Sequence, residues 1–272
     1  MTTTSSRKGA LSRVWPEGAS SAAAFTFDFD AEEVWIGEDP ANADRPGVLS
    51  QGTYGAKIAV PQILAVLKRH GVRATFFVPG RVAERHPARV EEIVAAGHEL
   101  AHHGYTHTSP TKLSRAEEED ELVRGLAVLR GFGAPVTGYR SPSWDLSPHT
   151  LDLLLDHGLR YSSNLMDDIR PYPIEGRPLV EVPISWILDD AAHFWFDGAS
   201  WTKNIATTAD VRAIWEAEFE GIRTLGGAAV FTMHPQIIGR PGRLAFLDSF
   251  LSFVTSHDDV WVATAAEIAG RA

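Results

Sequence analysis

The sequence predicts an α/β fold, a (β/α) barrel of six to eight units, on three observations. Short apolar runs rich in Val, Phe and Thr alternate with longer amphipathic stretches, the pattern of strands feeding crossover helices. Six polar residues suited to chemistry, Asp28, Asp30, His103, His107, Arg140 and His234, fall where the apolar runs end, the face at which βα barrels gather their chemistry. With 272 residues and 44% hydrophobic content, the chain can bury a large core, and one big domain is favoured over two small ones.

Taken in order, residues 1–20 are rich in Ser, Thr, Ala and Gly with scattered charges and read as a loose arm ahead of a catalytic domain at 21–272. AAAFTFDFD (22–30) reads as a buried strand with its carboxylates at the C-terminal end. Residues 58–70 read as a helix closed by Gly71, 74–80 as the next strand, and 87–96 as a helix with Val90, Ile93 and Val94 on one face, stopped by Gly97. HELAHHG (98–104) then reads as a strand, 117–130 as a charged helix, VTGYRSP (136–142) as a strand and 150–157 as a helix. After a less regular middle, 210–225 is helical, AAVFTMHP (228–235) a strand, and the tail repeats the pattern at 244–256 and 260–264.

The formal net charge of −10 argues against nucleic acid or an anionic membrane surface as partner. No cysteine is present, so a metal must be held by His, Asp or Glu, and hard or borderline divalent ions fit best. No apolar stretch resembles a signal-peptide core or approaches the roughly 18–20 residues that span a bilayer. A cytoplasmic protein is expected.

Asp28 and Asp30 share one face of their strand by the period-two rule, so both can point into one cavity; taken alone, a strand-end Asp capping the next turn explains them as well. His103 and His107, at i and i+4, can present two imidazoles to one ion, and a pair of surface histidines is the plain alternative. Convergence of these residues with Arg140 and His234 on one face is what argues for a metal-dependent hydrolase. A rival motif overlaps the second cluster: His98, Glu99 and His102 spell HELAH, the HExxH pattern of zinc peptidases. That pattern needs a helix, whereas Gly97 ends one immediately before it and LAHHG reads as strand.

With these residues assembled, the chain resembles the polysaccharide deacetylase superfamily, carbohydrate esterase family 4, from about Ala24 to Ala269. Four motifs in the family's order carry the resemblance: TFDFD (26–30), HGYTH (103–107), RSPSW (140–144) and TMHP (232–235). The resemblance implies a distorted (β/α) barrel, with metal ligands at Asp30, His103 and His107. It implies a general base at Asp28, held by Arg140, and a general acid at His234. Zinc is the metal it suggests first, with cobalt, nickel, manganese and iron suiting the same ligands.

Two departures stand out. The family's Asp-Asp-Gly is opened here to Asp28, Phe29, Asp30, Ala31, Glu32, and its aromatic after Arg-x-Pro is replaced by Ser143 followed by Trp144. The first departure, with YGAKIAVPQIL, ISWILDD and HPQIIGRPGR, resembles a subgroup of intracellular peptidoglycan-deacetylase-like proteins, cyclic imidases and metal-independent allantoinases. The second leaves the Ser143 N–H as candidate oxyanion donor.

Asp189 or Asp190 could orient His234, with a helix cap or surface turn as good an account of either. Trp144, Ser143 and Tyr54 are the candidate substrate contacts; Trp35, Trp186, Phe194 and Trp195 are further rings that could wall a pocket or simply pack. The GRPGR loop (239–243) could meet an anionic group or a neighbouring subunit. The expected activity is hydrolysis of a non-peptide C–N bond in a small cyclic imide or ureide, with an N-acetyl sugar as the alternative substrate. A catalytically silent carbohydrate- or ureide-binding barrel is the alternative of another class. The aromatic content and the subgroup resemblance favour a homo-oligomer.

Overall fold

The computed structural model describes residues 14–196 and 205–272. Its strands are β1 (Ser21–Asp28), β2 (Thr75–Val78), β3 (Glu99–His102), β4 (Gly138–Tyr139), β5 (Tyr161–Ser162), β6 (Tyr172–Pro173), β7 (Val180–Glu181), β8 (Ala228–Met233) and β9 (Val260–Val262). The helices are α1 (Glu33–Glu38), α2 (Pro46–Tyr54), α3 (Val60–His70), α4 (Gly80–Arg85), α5 (Pro87–Ala95), α6 (Arg115–Arg130), α7 (Thr150–Asp156), α8 (Asp190–Phe194), α9 (Thr208–Thr224), α10 (Pro235–Ile238), α11 (Pro241–Thr255) and α12 (Ala265–Ala269).

The strands pair in the order β6-β7-β5-β4-β3-β2-β1-β8, with β9 beside the first half of β1. All pairings are parallel except β6 with β7. The sheet curls until Asp189, downstream of β7, forms a parallel bridge with Thr232 at the far edge, and Ala228 N donates to Ile169 O at 2.8 Å. The expected distorted barrel is therefore an eight-strand curled half-barrel whose gap is spanned by irregular chain.

Strand alternation divides the core in two. On β1, Ala23, Phe25 and Phe27 face outward into a cluster with Phe76, Phe231, Trp215 and Phe250 beneath the helices. Ala22 and Ala24 face inward with Phe77, Ala101, Tyr161 and Val230. Each buried aromatic stabilises the outer layer by roughly 1.5–3 kcal/mol. Small inner residues on β1 leave room for the long side chain that crosses the barrel, Arg140.

Several expected boundaries shift for physical reasons. The 58–70 helix belongs to a longer helical run from Pro46 to His70, interrupted by a π turn at Gly55–Ala59. Pro61 has no N–H to return to the preceding turn, and Val60 N donates instead to Gly55 O. The 117–130 helix starts two residues early because Ser114 and Glu117 form a capping box. The strand expected at 136–142 shrinks to Gly138–Tyr139, since Pro142 cannot donate to a ladder. Of the expected N-terminal arm, residues 1–13 lie outside the described residues; Trp15 is buried, donates Nε1–H to Gly226 O at 3.1 Å and packs 6.4 Å from the Trp261 ring.

Candidate metal and catalytic site

Asp28 is the last residue of β1 and faces the barrel interior. Arg140, fully buried, reaches it from the end of β4: Nη1 donates to Asp28 Oδ1 and to Thr26 Oγ1, each at 2.8 Å. Its other donors meet Ser163, Nη2 to Oγ at 3.0 Å and Nε to the carbonyl at 3.3 Å, and the guanidinium lies 4.1 Å from the Phe77 ring centroid. A buried carboxylate and a buried guanidinium tolerate burial only as such a bonded pair.

Asp30 lies two residues past the strand end, at the mouth. His103 Nε2 is 3.4 Å and His107 Nε2 3.5 Å from its Oδ1, and His234 Nε2 is 3.8 Å from its Oδ2. Neither Asp30 oxygen has a hydrogen-bond partner although both are buried. Burial alone would raise the Asp30 pKa, but the neighbouring imidazoles outweigh it and bring it to about 2. His103 Nδ1 must be a donor, because its partner at 2.8 Å is the Arg140 carbonyl; Nε2 then turns its lone pair toward Asp30. Burial pushes His107 down to about 4, so this imidazole is neutral near pH 7. An ionised carboxylate with orphaned oxygens, facing two imidazole nitrogens, is the donor set that a borderline divalent cation takes. The residues fit a metal.

His234 follows β8 and is held differently. Its Nδ1 donates to Asp190 Oδ1 at 2.7 Å, and its backbone N–H meets both Asp190 oxygens at 3.1 Å. Burial opposes the charged imidazole, but Asp190 and Asp189 hold its pKa well above the ordinary value. Of the two aspartates offered by the sequence, Asp190 is thus the partner. Asp189 accepts from Ala191 N at 2.6 Å, capping α8, and stands 3.9 Å from His234 Nδ1. Although Asp189, Asp190 and His234 also cluster, Asp190 already has donors on its oxygens.

These groups open into one cleft of about 550 Å³, with Trp144, Trp186 and Trp195 among its walls. Trp144 stacks on Trp186 at 4.2 Å, and Trp195 on Trp35 at 5.3 Å. Ser143 lines the cleft, but the N–H proposed as an oxyanion donor points to Ser141 Oγ at 3.3 Å. Tyr54 is not among the lining residues: its hydroxyl donates to Gly239 O at 2.9 Å and its ring lies under Arg240. Phe194 and Trp35 border a neighbouring cavity instead.

The HELAH residues do not converge. His98 Nδ1 accepts from Ala74 N and His102 Nδ1 from Gly104 N, each at 3.1 Å, while Glu99, with Thr75 and Tyr161 as partners, points to the opposite face of β3. As expected, the strand excludes the peptidase pattern.

Three residues that sequence reading passed over position the candidate ligands. Gly37 of α1 lies against the His107 loop so closely that a Cβ there would sit 2.6 Å from Thr106 O and 2.7 Å from His107 O. Gly52 of α2 meets the Ala31 carbonyl in the same way. Glu121 of α6 accepts from Tyr105 N at 2.8 Å and Thr106 N at 2.7 Å, fixing the loop that delivers His107. Ala31, His107 and Trp144 have positive φ of 44°, 57° and 55°, strain of order 1–3 kcal/mol each that the surrounding contacts must hold.

A model of the polysaccharide deacetylase family matches residues 52–162. The peptidoglycan deacetylase of Helicobacter pylori is 30% identical over 276 residues, covering 90% of this chain and 94% of that protein. The chain belongs to the polysaccharide deacetylase family. A solved Mycobacterium smegmatis structure, assigned to the polysaccharide deacetylases, is similar with a TM-score of 0.91 and 44% identity over 94% of this chain and 91% of that one. Puue allantoinase shares the fold, with a TM-score of 0.81 at 23% identity over 94% and 91% of the two chains. Deacetylases of this family are hydrolases of C–N bonds other than peptide bonds and use a divalent metal, for which the Asp/His/His cluster is present.

Proposed function

We propose that this polysaccharide-deacetylase-family hydrolase opens a small cyclic imide or ureide, using a divalent ion, zinc by preference, held by Asp30, His103 and His107. The observation carrying this reading is the union of three groups in one tryptophan-walled cleft: the unpartnered Asp30 with its imidazoles, Asp28 on Arg140, and His234 on Asp190. Its volume of about 550 Å³ is that of a small-molecule site, and flat indole faces suit a flat ring. When bound, the ion supplies Lewis-acid polarisation of the substrate carbonyl and makes the attacking water more acidic.

Asp28 takes the proton of the attacking water as its oxygen bonds to the carbonyl carbon. Arg140 keeps that carboxylate aimed through the 2.8 Å hydrogen bond. As the C–N bond breaks, His234 Nε2 gives its proton to the nitrogen, which is too basic to leave as an anion, and Asp190 stabilises the imidazole while it is charged. The product of an imide carries a carboxylate and a carboxamide on one chain.

A second reading, N-deacetylation of an N-acetylglucosamine-containing glycan, is supported by the Helicobacter pylori relative and by Trp186, which is half exposed at the rim. Assaying succinimide, hydantoin and allantoin against N-acetylglucosamine oligomers, with metal-loaded and chelated enzyme, separates the two. Turnover of the cyclic compounds that chelation abolishes is expected, whereas acetate release from the oligomers alone would replace the first reading with the second. Among the described residues no helix is long and apolar enough to cross a membrane. A cytoplasmic location belongs to the same reading, as does a homo-oligomer, supported by the exposed Met166, Trp186 and Ile187.

A further inference from the structure

One wall of the catalytic cleft comes from a single stretch of chain, residues 186–195, which contributes Trp186, Asp189, Ala191, Ala192 and Trp195. Of the carboxylate, imidazole and hydroxyl groups lining that cleft, the reaction above uses Asp28, Asp30 and the three histidines. The Ser143 hydroxyl is taken by Ser109 Oγ at 2.7 Å and Ser141 Oγ at 3.4 Å. Asp189 is left without a part in the chemistry.

Asp189 is 2% exposed. Its Oδ1 accepts from Ala191 N at 2.6 Å and caps α8. Its Oδ2 accepts no hydrogen bond among the described residues, yet it is not one of the fully enclosed polar atoms, so this oxygen opens onto the cleft that Asp189 lines. The capping bond holds the carboxylate, and the parallel bridge to Thr232 ties the Asp189 backbone to β8 just ahead of His234. A carboxylate has room for about four donors, and this one has a single N–H. Burial raises its pKa to about 7 against the pull of His234, and a further N–H on the free oxygen would favour the charged form.

The substrates considered above share a donor that fits this oxygen. In an imide, a ureide and an N-acetyl group alike, the nitrogen that leaves carries a hydrogen. That nitrogen must sit at His234 Nε2 to take its proton, and Asp189 Oδ1 is 3.9 Å from Nδ1 of the same ring, so the acceptor stands beside the proton donor. A planar amide nitrogen shares its lone pair with the carbonyl. As the water oxygen adds and the carbon becomes tetrahedral, the pair localises on one side of the nitrogen. An acceptor on the N–H decides which side that is.

We propose that Asp189 is a specificity-determining residue of this hydrolase: its Oδ2 accepts the N–H of the scissile nitrogen, turns the developing lone pair toward His234 and so selects nitrogens that carry a hydrogen. The proposal rests on His234 as proton donor and holds for a cyclic imide and an N-acetyl sugar alike.

The test uses the full-length metal-loaded enzyme on two matched pairs, succinimide with N-methylsuccinimide and N-acetylglucosamine oligomers with their N-methylated counterparts. In the wild type, kcat/KM should favour the N–H member of the reacting pair by about tenfold to a hundredfold, the range for a hydrogen bond to a charged group. Asp189→Asn keeps a side-chain oxygen for the α8 cap and turns an NH2 group to the cleft in place of the acceptor. In this variant the ratio should fall to near one, with metal content and melting temperature kept. A ratio that Asp189→Asn leaves in place overturns the proposal. Steric exclusion of the methyl group would give that result, as would an Asp189 that acts only through the helix cap or the His234 pKa, since either of the latter slows both members alike. Succinimide turnover with an unmoved ratio sinks the Asp189 role alone. Inert imides, with an oligomer ratio that collapses in Asp189→Asn, sink the imide reading alone. Should neither pair react, calorimetric binding of the same compounds to the metal-loaded wild type supplies the ratio, and equal or absent binding overturns the proposal.

Discussion

Two clusters of the same residue types face each other across the cleft, and their hydrogen bonds make them different instruments. At Asp30, His103 and His107 the carboxylate oxygens are buried without a donor and both imidazoles turn Nε2 toward them. At Asp190 and His234 the carboxylate already accepts a ring N–H and the backbone N–H. The first arrangement offers free donor atoms that fit a cation; the second is complete and holds a proton. Composition alone cannot distinguish them, whereas the partners of each oxygen do.

The largest effect should come from breaking the first cluster. Asp30→Asn is expected to lose the bound metal and lower turnover by about a thousandfold or more, an order typical of losing a metal's charge stabilisation. Elemental analysis of the purified variant checks the first part, and retained stoichiometric metal would contradict the assignment. Chelation should lower the melting temperature of the wild type, since a ligand bound only to the folded state stabilises it, and leave that of Asp30→Asn unchanged.

His234→Gln should do the opposite: full metal content with kcat reduced by about 10²–10⁴-fold, the range for a lost general acid. If this variant purified without metal, the division between the clusters would be wrong. Arg140→Met tests the third group, leaving Asp28 buried without its partner; a loss of about 3–5 kcal/mol is expected in denaturant unfolding. An unfolding midpoint within error of wild type would contradict the pairing.

How much of this was legible in the sequence depends on how far each residue's requirement reaches. Asp28 and Asp30 were readable from period two in FTFDFD, and His103 and His107 from their spacing, because these signals are local. Glu121, Gly37 and Gly52 were not, since each answers to a loop or a turn distant in the chain. Tyr54 was misplaced for the same reason: its hydroxyl is taken by Gly239, 185 residues away. The two-residue strands β5 to β7 give no periodic signal, and the choice between Asp189 and Asp190 required knowing which carboxylate lies beside the imidazole.

Smaller effects sharpen the second cluster. Asp190 raises the His234 pKa, and activity that needs protonated His234 is lost as pH rises through that pKa. In Asp190→Asn the alkaline limb of the kcat profile should therefore move to lower pH; a limb that stays in place would remove Asp190 from this role. Smallest is the acid sensitivity set away from the site by His98, whose pKa burial depresses to about 4. The unfolded chain takes up a proton below about pH 6.5 that the folded His98 refuses until about pH 4. Stability is thus full above that unfolded value and falls as pH drops through the window. Urea midpoints across pH 4–7 measure it, and His98→Gln should flatten the slope.

The most direct test is anomalous diffraction from crystals of the wild-type protein grown with zinc. A single strong peak between Asp30, His103 and His107 is predicted, with none between Asp189, Asp190 and His234. A peak at the second cluster, or at His98 and His102, would contradict the account.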